Sequence, residues 1–173
     1  MKSKFFIWYI PLLIVMCCFI VFKLVSINNK KLNLSDLYNI SENNVYKVIK
    51  EDELKDILEK KTGIVLFATS SDTSSRNVVT LLNDAVMKTN IPQVYYYDIN
   101  DISSSLKEYL LNSLNGKVDS IDKATVLYVN AGDVYKVYQE SRDNELSEEE
   151  KEKLRNDFQD TIMDFVSTCD ESC

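Results

Sequence analysis

The chain has no histidine, three glycines, two prolines and four cysteines among its 173 residues. Without histidine it lacks the commonest general base and the commonest metal ligand of proteins. Its scattered glycines, Gly63, Gly116 and Gly132, exclude the glycine-rich loops that cradle phosphates. From this composition we expect neither a cofactor nor a metal site.

Charge is distributed unevenly along the chain. Residues 1–31 contain five lysines and no acidic residue, whereas the remainder has 15 basic against 27 acidic residues. An acidic domain repels phosphates, so we expect no nucleic-acid partner. The same domain offers no basic face to anionic lipid headgroups.

An apolar segment dominates the amino-terminal end. Residues 5–22 carry no charge, and the segment reaches Val25 if Lys23 extends to the interface, which is long enough to span a bilayer. No small-x-small cleavage site follows Val25, which favours an uncleaved transmembrane anchor in residues 1–27 over a cleaved signal peptide. We expect residues 5–25 to contact the membrane bilayer.

The flanking lysines do not decide the orientation of this anchor, because two precede the apolar run and three follow it. A single amino-terminal anchor before an acidic domain more often places its amino terminus inside the cell. We therefore expect a single-pass cell-membrane protein whose domain lies outside the cytoplasm.

Beyond the anchor, residues 28–44 are polar and aperiodic, which predicts a tether. From residue 45 onward, strand and helix patterns alternate. A capping box, Ser147 to Glu150, opens the last predicted helix. The predicted strands are 45–48, 64–68, 93–99, 125–129 and 134–138, and the predicted helices before the last one are 52–61, 74–88 and 102–114.

This order, β-α-β-α-β-α-β-β-α, predicts an α/β fold. Strand–helix–strand units give parallel strands through right-handed crossovers, and the final hairpin adds antiparallel strands at one edge. It is the element order of the thioredoxin fold. The predicted domain covers residues 45–168, which leaves 169–173 as a tail that contains cysteine.

The strand Ile64-Val-Leu-Phe-Ala68, followed by a polar loop and Arg76-Asn77, resembles membrane-anchored thioredoxin-like proteins of Gram-positive bacteria, including the bacteriocin-transport-accessory type. Those proteins carry a Cys-x-x-Cys motif after the strand. Aligning Arg76 with the residue after the second cysteine places Asp72 and Ser75 at the thiol positions, with Thr73 and Ser74 between them.

The resemblance implies a second departure. Thioredoxin-type sites hold a cis-proline before the penultimate strand, and Ala124 stands at that place here. A non-proline residue strongly prefers the trans bond. The resemblance thus implies a degenerate site, made of Asp72, Thr73, Ser74, Ser75 and Ala124, that has lost ordinary oxidoreductase activity and contains no catalytic residue.

Other chemistry at this site finds little support in the residues. Asp72 suits a helix cap, and Ser75 has no histidine to activate it as a nucleophile. The hydroxyl-rich loop 69–75 has two interpretations, a surface that hydrogen-bonds a peptide or glycan and a merely solvated loop.

The tail ends in the pair Cys169 and Cys173. In an unbroken helix their Cβ atoms would stand about 5–6 Å apart. A disulfide needs about 3.5–4.5 Å, so the last turn would have to open. The pair is a terminal staple or a redox pair that acts on a partner or on the degenerate site. As a metal site it would supply only two ligands.

Three functions remain open. The first is a membrane-anchored, non-catalytic binding or accessory module with an unknown protein partner. The second is a thiol–disulfide oxidoreductase that uses Cys169 and Cys173. The third is a structural component of a transport or immunity system.

Overall fold

The structure, a computed structural model, describes residues 33–89 and 91–169. The predicted anchor, residues 5–25, and Cys173 lie outside the described residues. Within 33–89 and 91–169, no helix has the length and apolarity needed to cross a bilayer.

The described chain alternates strands and helices from residue 46 onward, after one short helix. A single 3-10 turn, Ile99–Asp101, follows the third strand. The elements are α1 (Leu34–Tyr38), β1 (Tyr46–Val48), α2 (Glu51–Lys60), β2 (Gly63–Ala68), α3 (Thr73–Val86), β3 (Val94–Asp98), α4 (Ser104–Leu114), β4 (Thr125–Asn130), β5 (Asp133–Gln139) and α5 (Glu148–Thr168).

The five strands form one mixed sheet in the order β1-β3-β2-β4-β5. Strands β1, β3 and β2 are parallel to one another, whereas β4 is antiparallel to both β2 and β5. This is the thioredoxin-like arrangement, so the predicted α/β fold is confirmed. Parallel strands need helical crossovers, and α2 and α3 supply them.

Strand β2 lies in the middle of the sheet and is buried on both faces. Its residues from Ile64 to Ala68 are all fully shielded from solvent. This is why the sequence shows a continuous apolar run rather than an alternation of apolar and polar residues. On one face, Val65 and Phe67 join a core cluster with residues of α2 and α4, including Leu54, Leu106 and Leu110.

On the opposite face, α3 and α5 pack side by side over the sheet. Phe165 of α5 meets Tyr128 of β4 edge to face, with ring centroids 5.6 Å apart. Phe158 of α5 meets Tyr138 of β5 in the same manner at 5.0 Å. Edge-to-face packing matches the positive rim of one ring to the negative face of the other.

The segment predicted as a tether differs in the structure. Leu34–Tyr38 forms a short helix, and its Leu34 and Tyr38 side chains are only 4% and 5% exposed. The spacing i, i+4 places both side chains on one helical face, which packs beside α3. At least this part of residues 28–44 therefore belongs to the domain rather than to a tether.

The helix predicted over 102–114 begins later, at Ser104. The reason is local, because the hydroxyl of Ser103 accepts a 3.1 Å hydrogen bond from the Leu106 amide and so caps the helix at that point. The predicted capping box at the start of α5 is present, with Ser147 and Glu150 each bonding the other's backbone amide.

Candidate functional site

The degenerate site lies at the carboxyl end of β2, where the chain turns into α3. Its loop follows Ala68 and ends at Asp72, the residue that caps α3. Thr125 pairs with Phe67 across the antiparallel ladder, so Ala124 lies at the same edge of the sheet. The structure thus brings both predicted halves of the site to one edge.

Asp72 is fully engaged as a helix cap. Its carboxylate accepts hydrogen bonds from the amides of Ser74 at 3.2 Å and Ser75 at 3.0 Å. It also accepts from both serine hydroxyls, that of Ser75 at 3.0 Å. These bonds satisfy amides that α3 itself leaves without partners.

The same bonds control the ionisation of Asp72. Partial burial by itself would raise the pKa of this carboxyl, but the hydrogen bonds from Ser74 and Ser75 outweigh it, and the pKa is lowered. Hydrogen bonds to the charged form favour that form. A carboxylate held this way is a weak base, so the position is poorly suited to general base catalysis.

Ser75, which the resemblance aligns with the second thiol position, is completely buried. Its hydroxyl donates to Asp72 and accepts a 3.1 Å hydrogen bond from the amide of Thr69. No solvent reaches the oxygen, and its single proton is already committed. The side chain ties the two ends of the loop together instead of facing a substrate.

Ala124 is also completely buried, and the peptide bond before it is trans, because the described chain contains no cis peptide. Its carbonyl accepts a 2.9 Å hydrogen bond from the amide of Glu140. That residue carries a carboxylate that is only 2% exposed. Burial alone would raise the pKa of Glu140, but Arg142 outweighs burial and holds the pKa below its ordinary value.

The surroundings of the loop contain groups that the sequence did not indicate. The side-chain amide of Asn100 donates a 2.7 Å hydrogen bond to the hydroxyl of Thr69, which also lies 3.2 Å from that of Ser71. On the other side, the hydroxyls of Tyr38 and Tyr96 are 2.8 Å apart. In the sequence, only the i, i+4 spacing of Leu34 and Tyr38 indicates that Tyr38 is buried, and the polar residues around this pair obscure the pattern.

The pKa of Asp98, at the end of β3, is shifted in the opposite direction from that of Asp72. Burial raises its pKa, and the nearby Asp101 adds to this effect, although the amide of Asn100 donates to the carboxylate at 2.9 Å. Paired with Ala68 in the sheet register, Asp98 stands at the same edge as the degenerate site. The edge thus holds two acidic groups with unlike proton affinities.

Cys169 is disulfide-bonded, and the other three cysteines all lie outside the described residues. It lies at the opposite end of the domain from the degenerate site. The carbonyl of the preceding Thr168 accepts from Asn130, at the end of β4, and this end of β4 pairs with the start of β2. Helix α5 begins near α3, since Asn77 bonds the Asn144 carbonyl.

The 21 residues of α5 therefore separate Cys169 from the degenerate site. At 1.5 Å per residue the helix spans roughly 30 Å. A redox pair at Cys169 would act at its own end of the domain, because reaching the degenerate site would mean dismantling α5.

A cavity of about 150 Å³ lies at this far end as well. It does not touch the degenerate site. Its walls are Thr62, Gly63, Ile64, Ile91, Pro92, Gln93, Tyr95 and Phe165. Among residues 33–89 and 91–169, no three acidic or cysteine side chains gather in a way that would hold a metal ion.

No protein-family profile and no curated protein matches the chain. Solved structures do match, and one of them is provisionally described as an oxidoreductase with a thioredoxin fold. It is 19% identical, with a TM-score of 0.46, and the match covers 62% of this chain and 94% of the other. The thioredoxin-like fold follows from the strand order and strand directions rather than from this similarity.

Proposed function

We propose that this chain is a thioredoxin-like binding module without dithiol catalysis. The observation that carries the proposal is the mutual engagement of Asp72 and Ser75. The two side chains at the thiol positions satisfy each other and the backbone around them. They preserve the shape of a thioredoxin-type loop and leave no group to perform its chemistry.

The same proposal includes a place in the cell. Residues 5–25 hold the module in the cell membrane as a single-pass anchor, and the domain lies outside the cytoplasm. The chain would then belong with the membrane-anchored bacterial thioredoxin-like proteins of the bacteriocin-transport-accessory type, as a member without the Cys-x-x-Cys motif. Its partner is a protein that the loop at the degenerate site contacts.

The exposed parts of the loop and of the first turn of α3 can support such contacts. Ser71 and Arg76 are exposed, while Ser70 and Thr73 are partly exposed. The Arg76 guanidinium donates a 3.1 Å hydrogen bond to the Thr73 hydroxyl, which leaves its other donors for a partner. Hydroxyl and guanidinium groups on a rigid edge suit hydrogen bonding to a peptide backbone or to carboxylates.

The decisive experiment measures insulin reduction by the full-length protein in detergent, with dithiothreitol as the electron source. The wild type is expected to add nothing to the background rate. The double variant Asp72→Cys/Ser75→Cys is the matched positive control, because it places two thiols at the start of α3, where the helix dipole lowers a cysteine pKa. Turnover by the wild type that survives Cys169→Ser would refute the proposal.

A second function keeps one specific observation in its favour. Cys169 is disulfide-bonded, which suits a thiol–disulfide oxidoreductase that uses Cys169 and Cys173 at the far end of α5. This function predicts that Cys173→Ser traps a mixed disulfide with a partner, whereas Cys17→Ser does not. Non-reducing electrophoresis of membranes that express each variant separates the two functions, since a pure binding module yields no trapped species.

A further inference from the structure

A continuous chain of hydrogen bonds runs from α1 to the degenerate site. The hydroxyl of Tyr38 lies 2.8 Å from that of Tyr96, which in turn donates to the carbonyl of Ala68 at 3.0 Å. Because Tyr96 gives its only proton to Ala68, Tyr38 must be the donor between the two hydroxyls. Both tyrosine side chains are buried.

The chain then continues through a single peptide group. The carbonyl of Ala68 and the amide of Thr69 belong to the same peptide unit. That amide donates to the Ser75 hydroxyl at 3.1 Å, and the hydroxyl donates to the Asp72 carboxylate at 3.0 Å. All donors point the same way, and the series ends on a negative charge.

Such an arrangement favours coupling between its ends. Hydrogen bonds in series polarise one another inside a protein, and a carboxylate at the end strengthens the bonds that lead to it. Loss of the first bond therefore weakens the last ones. The peptide unit between Ala68 and Thr69 also sets the direction in which the chain leaves β2. A tilt of this unit therefore moves both its carbonyl, which faces Tyr96, and its amide, which faces Ser75.

Helix α1 is among the shortest elements of the described chain. It has five residues and buries only Leu34, Ser35 and Tyr38. When it detaches, the hydroxyl of Tyr96 keeps its bond to the carbonyl of Ala68. Short elements with few buried side chains open locally far more often than the whole domain unfolds.

We propose that α1 is a releasable strap coupled to the degenerate-site loop through the relay Tyr38–Tyr96–Ala68/Thr69–Ser75–Asp72. Release of α1 loosens the loop, and by reciprocity a partner that grips the loop holds α1 in place. Residues that precede α1 can thus influence binding at the loop. The role of the loop as a binding surface rests on the proposed function, but the coupling itself does not.

The experiment measures amide hydrogen exchange in the full-length protein in detergent micelles, without any partner. Tyr38→Phe removes the first bond, and its reporter is the Thr69 amide. We expect exchange there to rise about fivefold, the effect of losing one net hydrogen bond. Ser75→Ala tests the reverse direction, and its reporter is the Ile40 amide, which donates to the Ser35 carbonyl at 3.2 Å in α1.

Tyr46→Phe is the matched control. Its hydroxyl donates to the Val79 carbonyl at 2.6 Å, and its ring also packs against Tyr96, so it resembles Tyr38 without joining the relay. We expect it to leave both reporters unchanged. A double variant, Tyr38→Phe/Ser75→Ala, should show exchange changes smaller than the product of the single changes.

Two outcomes would overturn the proposal. Acceleration confined to α1 in Tyr38→Phe, with Thr69 unchanged, would show that the strap and loop are independent. Equal acceleration of all amides in every variant would show global unfolding instead of local release. This experiment does not measure insulin reduction. A result that refutes the coupling between α1 and the loop therefore leaves the proposed function untouched, and the reverse also holds.

Discussion

Glu140 and Arg142 form a two-pronged ion pair, in which the arginine Nε and one terminal nitrogen each lie 2.8 Å from a carboxylate oxygen. Tyr138 adds a third donor at 2.7 Å. The pair stands beside Ala124 and also reaches Glu150 in the first turn of α5 at 3.4 Å. It joins the end of β5 to the start of α5 at the edge that carries the degenerate site.

Arg142→Met should destabilise the fold because it leaves a buried carboxylate without its cation. We expect the free energy of unfolding to fall by about 2 kcal/mol. This is less than the loss expected for a fully buried ion pair, because the arginine side chain is 37% exposed. Urea unfolding followed by circular dichroism measures it. Lys151→Met is the control, since its partner Glu148 is 91% exposed and its loss should matter little. Equal losses in both variants would contradict this account.

Asp72 should make stability depend on pH. Its folded-state pKa is lowered, so its stabilising contribution is complete above the ordinary carboxyl value of about 4 and disappears as the pH falls through the lower folded value. Asp72→Asn should cost about 1 kcal/mol at pH 7, typical of a weakened cap, and should flatten the dependence between pH 5 and pH 3. Urea unfolding across that range is the measurement. A variant with an unchanged slope would show that Asp72 is not the group involved.

Tyr128 has the one fully buried side-chain oxygen or nitrogen without a hydrogen-bond partner within residues 33–89 and 91–169. Tyr128→Phe should therefore leave stability unchanged or raise it by about 1 kcal/mol, because no bond is lost and a buried hydroxyl is removed. Tyr96→Phe is the matched comparison and should be destabilising, since that hydroxyl has two partners. Thermal unfolding compares them. A loss in Tyr128→Phe as large as that in Tyr96→Phe would reveal a buried water at the hydroxyl.

Gly132 and Gly116 both have positive φ angles, +87° and +78°, but differ in their surroundings. A Cβ on Gly132 would lie 2.7 Å from the carbonyl carbon of Glu59 and still closer to its oxygen, whereas a Cβ on Gly116 meets nothing within 4 Å. Gly132→Ala should therefore destabilise by clearly more than the roughly 1 kcal/mol that left-handed strain costs in Gly116→Ala. Chemical unfolding of both variants tests the difference, and equal values would contradict the predicted clash.

Local patterns predicted most of the fold. The apolar run Ile64–Ala68 indicated a strand buried on both faces, and the capping box at Ser147 fixed the start of α5 within one residue. Asp72 was predicted as a cap and is one. These features depend on neighbours within four residues, and such neighbours are visible in a sequence.

Features that join distant residues were not predictable. Tyr38 and Tyr96 meet across 58 positions, and the polar composition around α1 concealed its buried pair. The distance between Cys169 and the degenerate site depends on where α5 packs, and helix length alone does not give this. Nor did the sequence pair Glu140 and Arg142 with Ala124.

By itself, the sequence determined the order of strands and helices from residue 46 onward, the absence of thiols at the degenerate site and the capping of α3. Each follows from side-chain chemistry and short-range hydrogen bonding. Only the tertiary structure decided that α1 packs beside α3, that a series of hydrogen bonds connects it to Asp72 and that Cys169 lies at the other end. The reason is that packing against the sheet brings side chains that are distant in the sequence into the same buried region. There they must pair with one another, because an unpaired donor or charge is costly when it is buried.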